Sequence, residues 1–101
     1  MKVNVEENAV FIIANAGDSK CNSFAAIEAA KEGDFEKARE LLDLSEKALN
    51  LAHKSHTELL CKDSGNGLTL NFLLVHASNL LSIAEIAKEF AEQIVFLYER
   101  R

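Results

Sequence analysis

No proline occurs in the 101 residues, and glycine occurs four times. Proline and glycine are the usual breakers of helices and makers of tight turns, so their scarcity leaves long helices uninterrupted and gives a many-stranded sheet little turn material. The fold expected from this alone is all-α. Cysteine is nearly absent too: Cys21 and Cys61 form no framework and belong to no metal-binding spacing, so they read as free thiols in a reducing compartment, the cytoplasm. Eleven Lys and Arg stand against sixteen Asp and Glu, a net charge of -5. The basic residues are scattered and form no stripe that could follow a phosphate backbone, which argues against a nucleic-acid partner. A secretory leader is also not expected. The short apolar run Ala9 to Ala16 is preceded by Glu6 and Glu7, where a signal peptide requires positive charge.

What is present is a composition with 49% hydrophobic and 27% charged residues, that of a soluble globular protein. The length suits one domain, residues 1–101. Helical periodicity fills three segments, about 6–31, 35–62 and 69–98. In the first, Val10, Ile13, Phe24 and Ile27 are the expected apolar positions, and Gly17-Asp18-Ser19 predicts a kink or a break. Gly33 then closes the segment as a C-terminal glycine does, and Asp34 can cap the next helix. The second carries Phe35, Ala38, Leu42, Leu49, Ala52 and Leu59 on one stripe, with Glu36, Glu40, Lys47 and Lys54 outside it. Asp63-Ser64-Gly65-Asn66-Gly67 is the strongest loop signal. It resembles a phosphate loop only in its glycines, because the lysine and the strand-loop-helix context of a P-loop are missing.

In the third segment Leu73, His76, Leu80, Ile83, Ala87, Phe90 and Ile94 fall in one line at 100° per residue, and this stripe is the expected core face. Glu85, Lys88, Glu89 and Glu92 occupy the far side as a solvent face. Further toward the N-terminus that far side holds Leu74 and Leu81 instead. No charged residue occurs from Ser64 to Ala84. A helix apolar nearly all round cannot be hidden in a three-helix monomer, so a second subunit is expected to cover it. A membrane span is the rival explanation, but Asn71, His76, Ser78, Asn79 and Ser82 would be costly in hydrocarbon.

Histidine is the side chain that titrates near neutrality, and of the three here His76 lies in uncharged surroundings. A neutral imidazole has a lone pair free to attack phosphorus, and apolar surroundings favour the neutral form. The residues alone leave two readings open: a nucleophile, or a core histidine satisfied by hydrogen bonds. His53 and His56 form an HxxH pair that could contribute two metal ligands, but Cys61 and Asp63 lie too far along the helix to complete a shell unaided. The simpler expectation is that His56 packs or hydrogen-bonds at the edge of the apolar stripe.

Several strings carry more information than any of these features singly. Ala16-Gly17-Asp18, the run from Glu28 through Gly33 to Ala38, Ala52-His53, Thr57-Glu58-Leu59-Leu60 and Leu73-Leu74-Val75-His76-Ala77 occur in this order. Together they resemble the lactose/cellobiose-specific enzyme IIA family of the bacterial sugar phosphotransferase system, over essentially the whole chain. The resemblance implies an antiparallel three-helix bundle assembled as a homotrimer. It implies a phosphotransferase component with a phosphohistidine intermediate, in which His76 accepts the phosphoryl group from HPr and passes it to enzyme IIB. The sugar, a disaccharide or β-glucoside of the lactose, cellobiose or chitobiose type, would then be phosphorylated by the membrane subunit IIC, with no direct membrane insertion of IIA.

Departures from the family pattern cluster after His76. The family continues Val-His-Ala with Gln-Asp-His-Leu, where this chain has Ser78-Asn79-Leu80-Leu81. Asn79 stands at the family's aspartate, which in a trimer gathers three carboxylates and is associated with a bound metal ion. Three neutral amides need no such counter-charge, so no metal and no other cofactor is expected. His56 replaces the glutamine that precedes the family's threonine. Asn79 and His56 are therefore expected to donate hydrogen bonds to phosphoryl oxygens, with Thr57 a further candidate. The alternative is a catalytically silent paralogue, an oligomeric interaction or regulatory protein that kept the bundle but lost transfer through these changes.

Overall fold

The computed structural model describes residues 4–63 and 72–101, which form three helices: α1 (Val5–Lys31), α2 (Phe35–Asp63) and α3 (Phe72–Glu99). They pack side by side into a slender body of 53 × 22 × 17 Å. The loop expected at Ser64 to Gly67 and the expected start of the third helix at Thr69 lie outside the described residues.

Both ends of α1 and the start of α2 are set by local chemistry. At the start of α1 the Asn4 side chain accepts a hydrogen bond from the Glu7 amide at 3.0 Å, and Glu6 and Glu7 place negative charge against the positive end of the helix. At its end Gly33 takes φ +81°, a conformation that other residues reach only with strain. This allows the Asp34 amide to bond the Ala29 carbonyl at 2.9 Å and the Gly33 amide the Ala30 carbonyl at 3.0 Å, the paired bonds of a Schellman motif. Asp34 serves the next helix at once, its carboxylate accepting from the Lys37 amide at 3.1 Å.

No break occurs at Gly17, and α1 runs through Gly17-Asp18-Ser19 as continuous helix. A single glycine costs a helix only about 1 kcal/mol relative to alanine. Here the flanking turn is also tied across the bundle. The hydroxyl of buried Ser45 on α2 donates to the Ser19 carbonyl at 2.8 Å, and its oxygen lies 2.8 Å from both the Ser19 and the Ser23 hydroxyls. Ser45 has one proton, committed to the carbonyl, so Ser19 and Ser23 must be the donors of the other two bonds.

This serine layer divides the core. Toward one end, Ala9, Ile12, Ala16, Leu49, Ala52, Ala77, Leu81 and Ala84 pack together; toward the other, Ala26, Ala29, Ala30, Ala38 and Val95 do so. The face that α1 buries is mostly alanine and serine, which lets its neighbours approach closely. The seam between α2 and α3 is different in kind. Arg39 pairs with Glu99, Glu46 with Lys88 at 3.8 Å, His53 with Glu85 at 3.3 Å, and His56 with Ser78 at 3.0 Å. Positions rise along α2 as they fall along α3, the register of an antiparallel pair.

The stripe on α2 matches the expected one, but those on α1 and α3 are displaced. Val10 and Phe24 are exposed, and the core face of α1 is Ala9, Ile12, Ala16, Ser19, Ser23, Ala26, Ala29 and Ala30. On α3 the core residues are Leu74, Ala77, Leu81, Ala84, Ala91 and Val95, so Leu74 and Leu81 point inward. His76, Ile83 and Phe90, expected in the core, are exposed. A helix with apolar residues on every side offers periodicity several equally good phases. Contact with α1 and α2 selects among them. Lys88, expected on the solvent face, falls on the inward line, its side chain only 12% exposed.

Candidate functional site

The N-terminal turns of α3 are anchored by Leu74 and Ala77, both buried among residues from the other helices. Fixing these two turns His76, which lies between them, away from the core and into the open. The structure thus places His76 neither as a core histidine nor in a closed apolar pocket. Its imidazole stacks on the ring of Phe72, one helical turn earlier, with centroids 6.4 Å apart and planes 11° from parallel.

Asn79 is exposed one turn beyond His76 on the same side of α3. The open face continues as a line at seven-residue spacing: His76, Ile83, Phe90 and Leu97, the last three 50%, 64% and 62% exposed. Asn79 and Ile86 flank this line.

His56 is drawn to a different neighbour. Its Nε2 lies 3.0 Å from the Ser78 hydroxyl, two residues past His76, so the ring is engaged at the α2–α3 seam. This is the edge-of-stripe hydrogen bond expected of it. Thr57, next along α2, faces solvent. The structure therefore brings His76 and Asn79 to one surface, holds His56 close by through Ser78, and leaves Thr57 pointing outward. His53, the other half of the HxxH pair, is engaged by Glu85 and not by His56. Among the described residues no three His, Cys, Asp or Glu stand together as a metal site requires.

Sequence reasoning missed two neighbours of this site. Phe72 was within reach, because residues four apart on a helix meet. Ser78 was not assigned to His56, because that pairing depends on the antiparallel register of α2 and α3, and the connection between them does not reveal it.

Further along the seam, between His53–Glu85 and Arg39–Glu99, Lys88 is held between Glu92 at 2.8 Å and Glu46 at 3.8 Å. The hydrogen bond that Lys88 donates to Glu92 is the largest influence and holds the ammonium pKa above its usual value; burial opposes this, while the charges of Glu92, Glu46 and Glu89 reinforce it. No helix among the described residues is long and apolar enough to cross a membrane.

Comparison with known proteins points in one direction. The family described as PTS system, Lactose/Cellobiose specific IIA subunit, matches residues 7–99. The N,N'-diacetylchitobiose-specific EIIA component of Escherichia coli K12 is 35% identical over 97 residues, covering 95% of this chain and 84% of the relative. The lichenan-specific phosphotransferase enzyme IIA component of Bacillus subtilis is 36% identical over 101 residues, covering 99% and 92%. Among solved structures, the cellobiose-specific enzyme IIA of Bacillus anthracis superimposes with a TM-score of 0.91 at 30% identity, over 99% of this chain and 93% of that one. The IIA(Chitobiose)–HPr complex of Escherichia coli gives 0.86 at 34% identity, over 98% and 97%.

Proposed function

The chain belongs to the lactose/cellobiose-specific IIA family of the sugar phosphotransferase system, and from that premise we propose that it accepts a phosphoryl group from phospho-HPr on His76 and passes it to enzyme IIB during uptake of a disaccharide or β-glucoside. The observation that carries the choice of residue is the position of His76: a histidine in the family's Val-His-Ala string, exposed where a protein donor can reach it.

The chemistry is an in-line displacement. A lone pair on one nitrogen of the neutral His76 imidazole forms the new P–N bond, and the P–N bond of the donor phosphohistidine breaks, its electron pair returning to the donor ring nitrogen. Each ring keeps the proton on its other nitrogen, so the exchange needs no general acid or base. Catalysis then comes from positioning and from exclusion of water by the docked partner. Asn79, on the same face, supplies an amide donor for phosphoryl oxygens; His56, bonded to Ser78 at the seam, would add a second donor only by leaving that bond, and Thr57, which faces solvent, remains the weaker candidate. No Lys or Arg lies within ten residues of His76 in sequence, which would keep the phosphoryl group transferable and not trapped by a strong ion pair from its own helix turns.

The open line His76, Ile83, Phe90 and Leu97 has the seven-residue repeat of a helix seam in an oligomer, and a homotrimer is the assembly that would cover it. At such an axis Asn79 would contribute amides and no charge, so the assembly needs no metal ion. Cys21 and Cys61, both exposed and neither in a disulfide, suit the reducing cytoplasm, where a relay from HPr operates.

The test is a relay driven by phosphoenolpyruvate with enzyme I and HPr, reading intact mass and acid lability of the label. Label that reaches this chain and is then discharged to enzyme IIB supports the carrier reading. Folded protein that takes no label from active HPr points to the interaction protein left by the changes at Asn79 and Leu80.

A further inference from the structure

We propose that Phe72 is a positioning residue for phosphoryl transfer, holding the His76 imidazole in an orientation that presents its nitrogens to the incoming phosphorus; the proposal rests on His76 being the carrier. Phe72 is 88% exposed, more than any other large hydrophobic residue described. A ring so open to water gains little from burial, and its ring partner is the imidazole of His76, nearly parallel at 11°.

The centroid separation of 6.4 Å lies within the range of offset aromatic pairs, about 4.5–7 Å. In such a pair the flat neighbour limits rotation of the imidazole. That matters here because the terminal torsion of histidine is broad and roughly two-fold, so an unsupported ring on an open helix face would sample many orientations. The unprotonated nitrogen that attacks carries its lone pair in the plane of the imidazole, at its edge. A partner lying parallel to that plane restrains the ring without standing in the line of attack. Phe72 touches no reacting atom and acts only through the orientation of His76.

The experiment measures single-turnover phosphorylation of the full chain by phospho-HPr over a range of donor concentrations, for wild type, Phe72→Leu, Phe72→Ala and Phe72→Tyr. Leucine keeps the apolar bulk of the helix start but cannot stack, and tyrosine keeps the flat ring. The limiting rate is expected to fall about three- to tenfold in the Leu and Ala variants with the half-saturating donor concentration unchanged, and to be restored by Tyr. The ring-proton resonances of His76 should move in Phe72→Leu and stay in place in Phe72→Tyr. An unchanged limiting rate in Phe72→Leu, or a loss that appears only in half-saturation, overturns the proposal in favour of an idle or a donor-contacting ring. Wild-type chain that takes no label on His76 overturns the carrier reading instead, and this proposal with it.

Discussion

The two faces of α3 have nearly the same hydrophobicity and opposite fates. Leu74, Ala77, Leu81, Ala84, Ala91 and Val95 are enclosed by α1 and α2, whereas Ile83, Ile86, Phe90 and Leu97, which include the bulkier side chains, are left half open or more. The enclosed face is narrow and rich in alanine, so it packs closely and specifies the bundle. The open face is broad, begins at the histidine proposed to react, and ends in apolar surface that a lone subunit has no means to cover. A monomer that keeps its larger apolar residues outside is built to be part of something larger.

The comparison breaks most visibly if the open face is charged. If the proposed homotrimer forms through this face, Phe90→Lys leaves monomers by sedimentation at micromolar concentration while the helical circular dichroism stays; a trimer in wild type that persists in the variant would show that this face is not the seam. On the enclosed face, Leu81→Ala should cost about 2–5 kcal/mol in urea unfolding at fixed protein concentration, the usual penalty for a cavity in a packed core. A cost below that range would mean the two faces are less different than their burial suggests. Ser45→Ala strips the acceptor from two buried hydroxyls and the donor from a carbonyl, and is expected to cost about 1–3 kcal/mol by the same measurement. The smallest effect concerns Lys88. Because its folded-state pKa is raised above 10.5, the stability it contributes is complete below that pH and is lost as pH rises through the higher folded value. Stability curves of wild type and Lys88→Met should therefore run parallel up to about pH 10 and converge above it.

Most of the fold was legible in the sequence because it is written in local signals. Gly33 and Asp34 mark a helix end and the next start by backbone conformation and capping, and both do so in the structure. The stripe on α2 was legible because charged residues border it on both sides. On α3 that contrast is missing, and the phase of the helix was not readable from periodicity. The same uniformity hid the exposure of His76: its neighbours in sequence are apolar, yet its surroundings in space are open. Gly17 predicted a kink or a break, and no break exists; the three-serine layer that holds the helix there is formed by Ser45, 22 and 26 residues further along the chain. The uncharged segment from Ser64 to Ala84 signalled more apolar surface than one bundle buries, but the open face extends past it to Phe90 and Leu97, which the sequence did not mark as exposed.

The most direct test of the carrier role compares wild type with His76→Ala in the enzyme I and HPr relay, reading intact mass before and after mild acid. Acid-labile phosphorylation of the wild type and none of the folded variant is the predicted result. Label that persists in His76→Ala would contradict it.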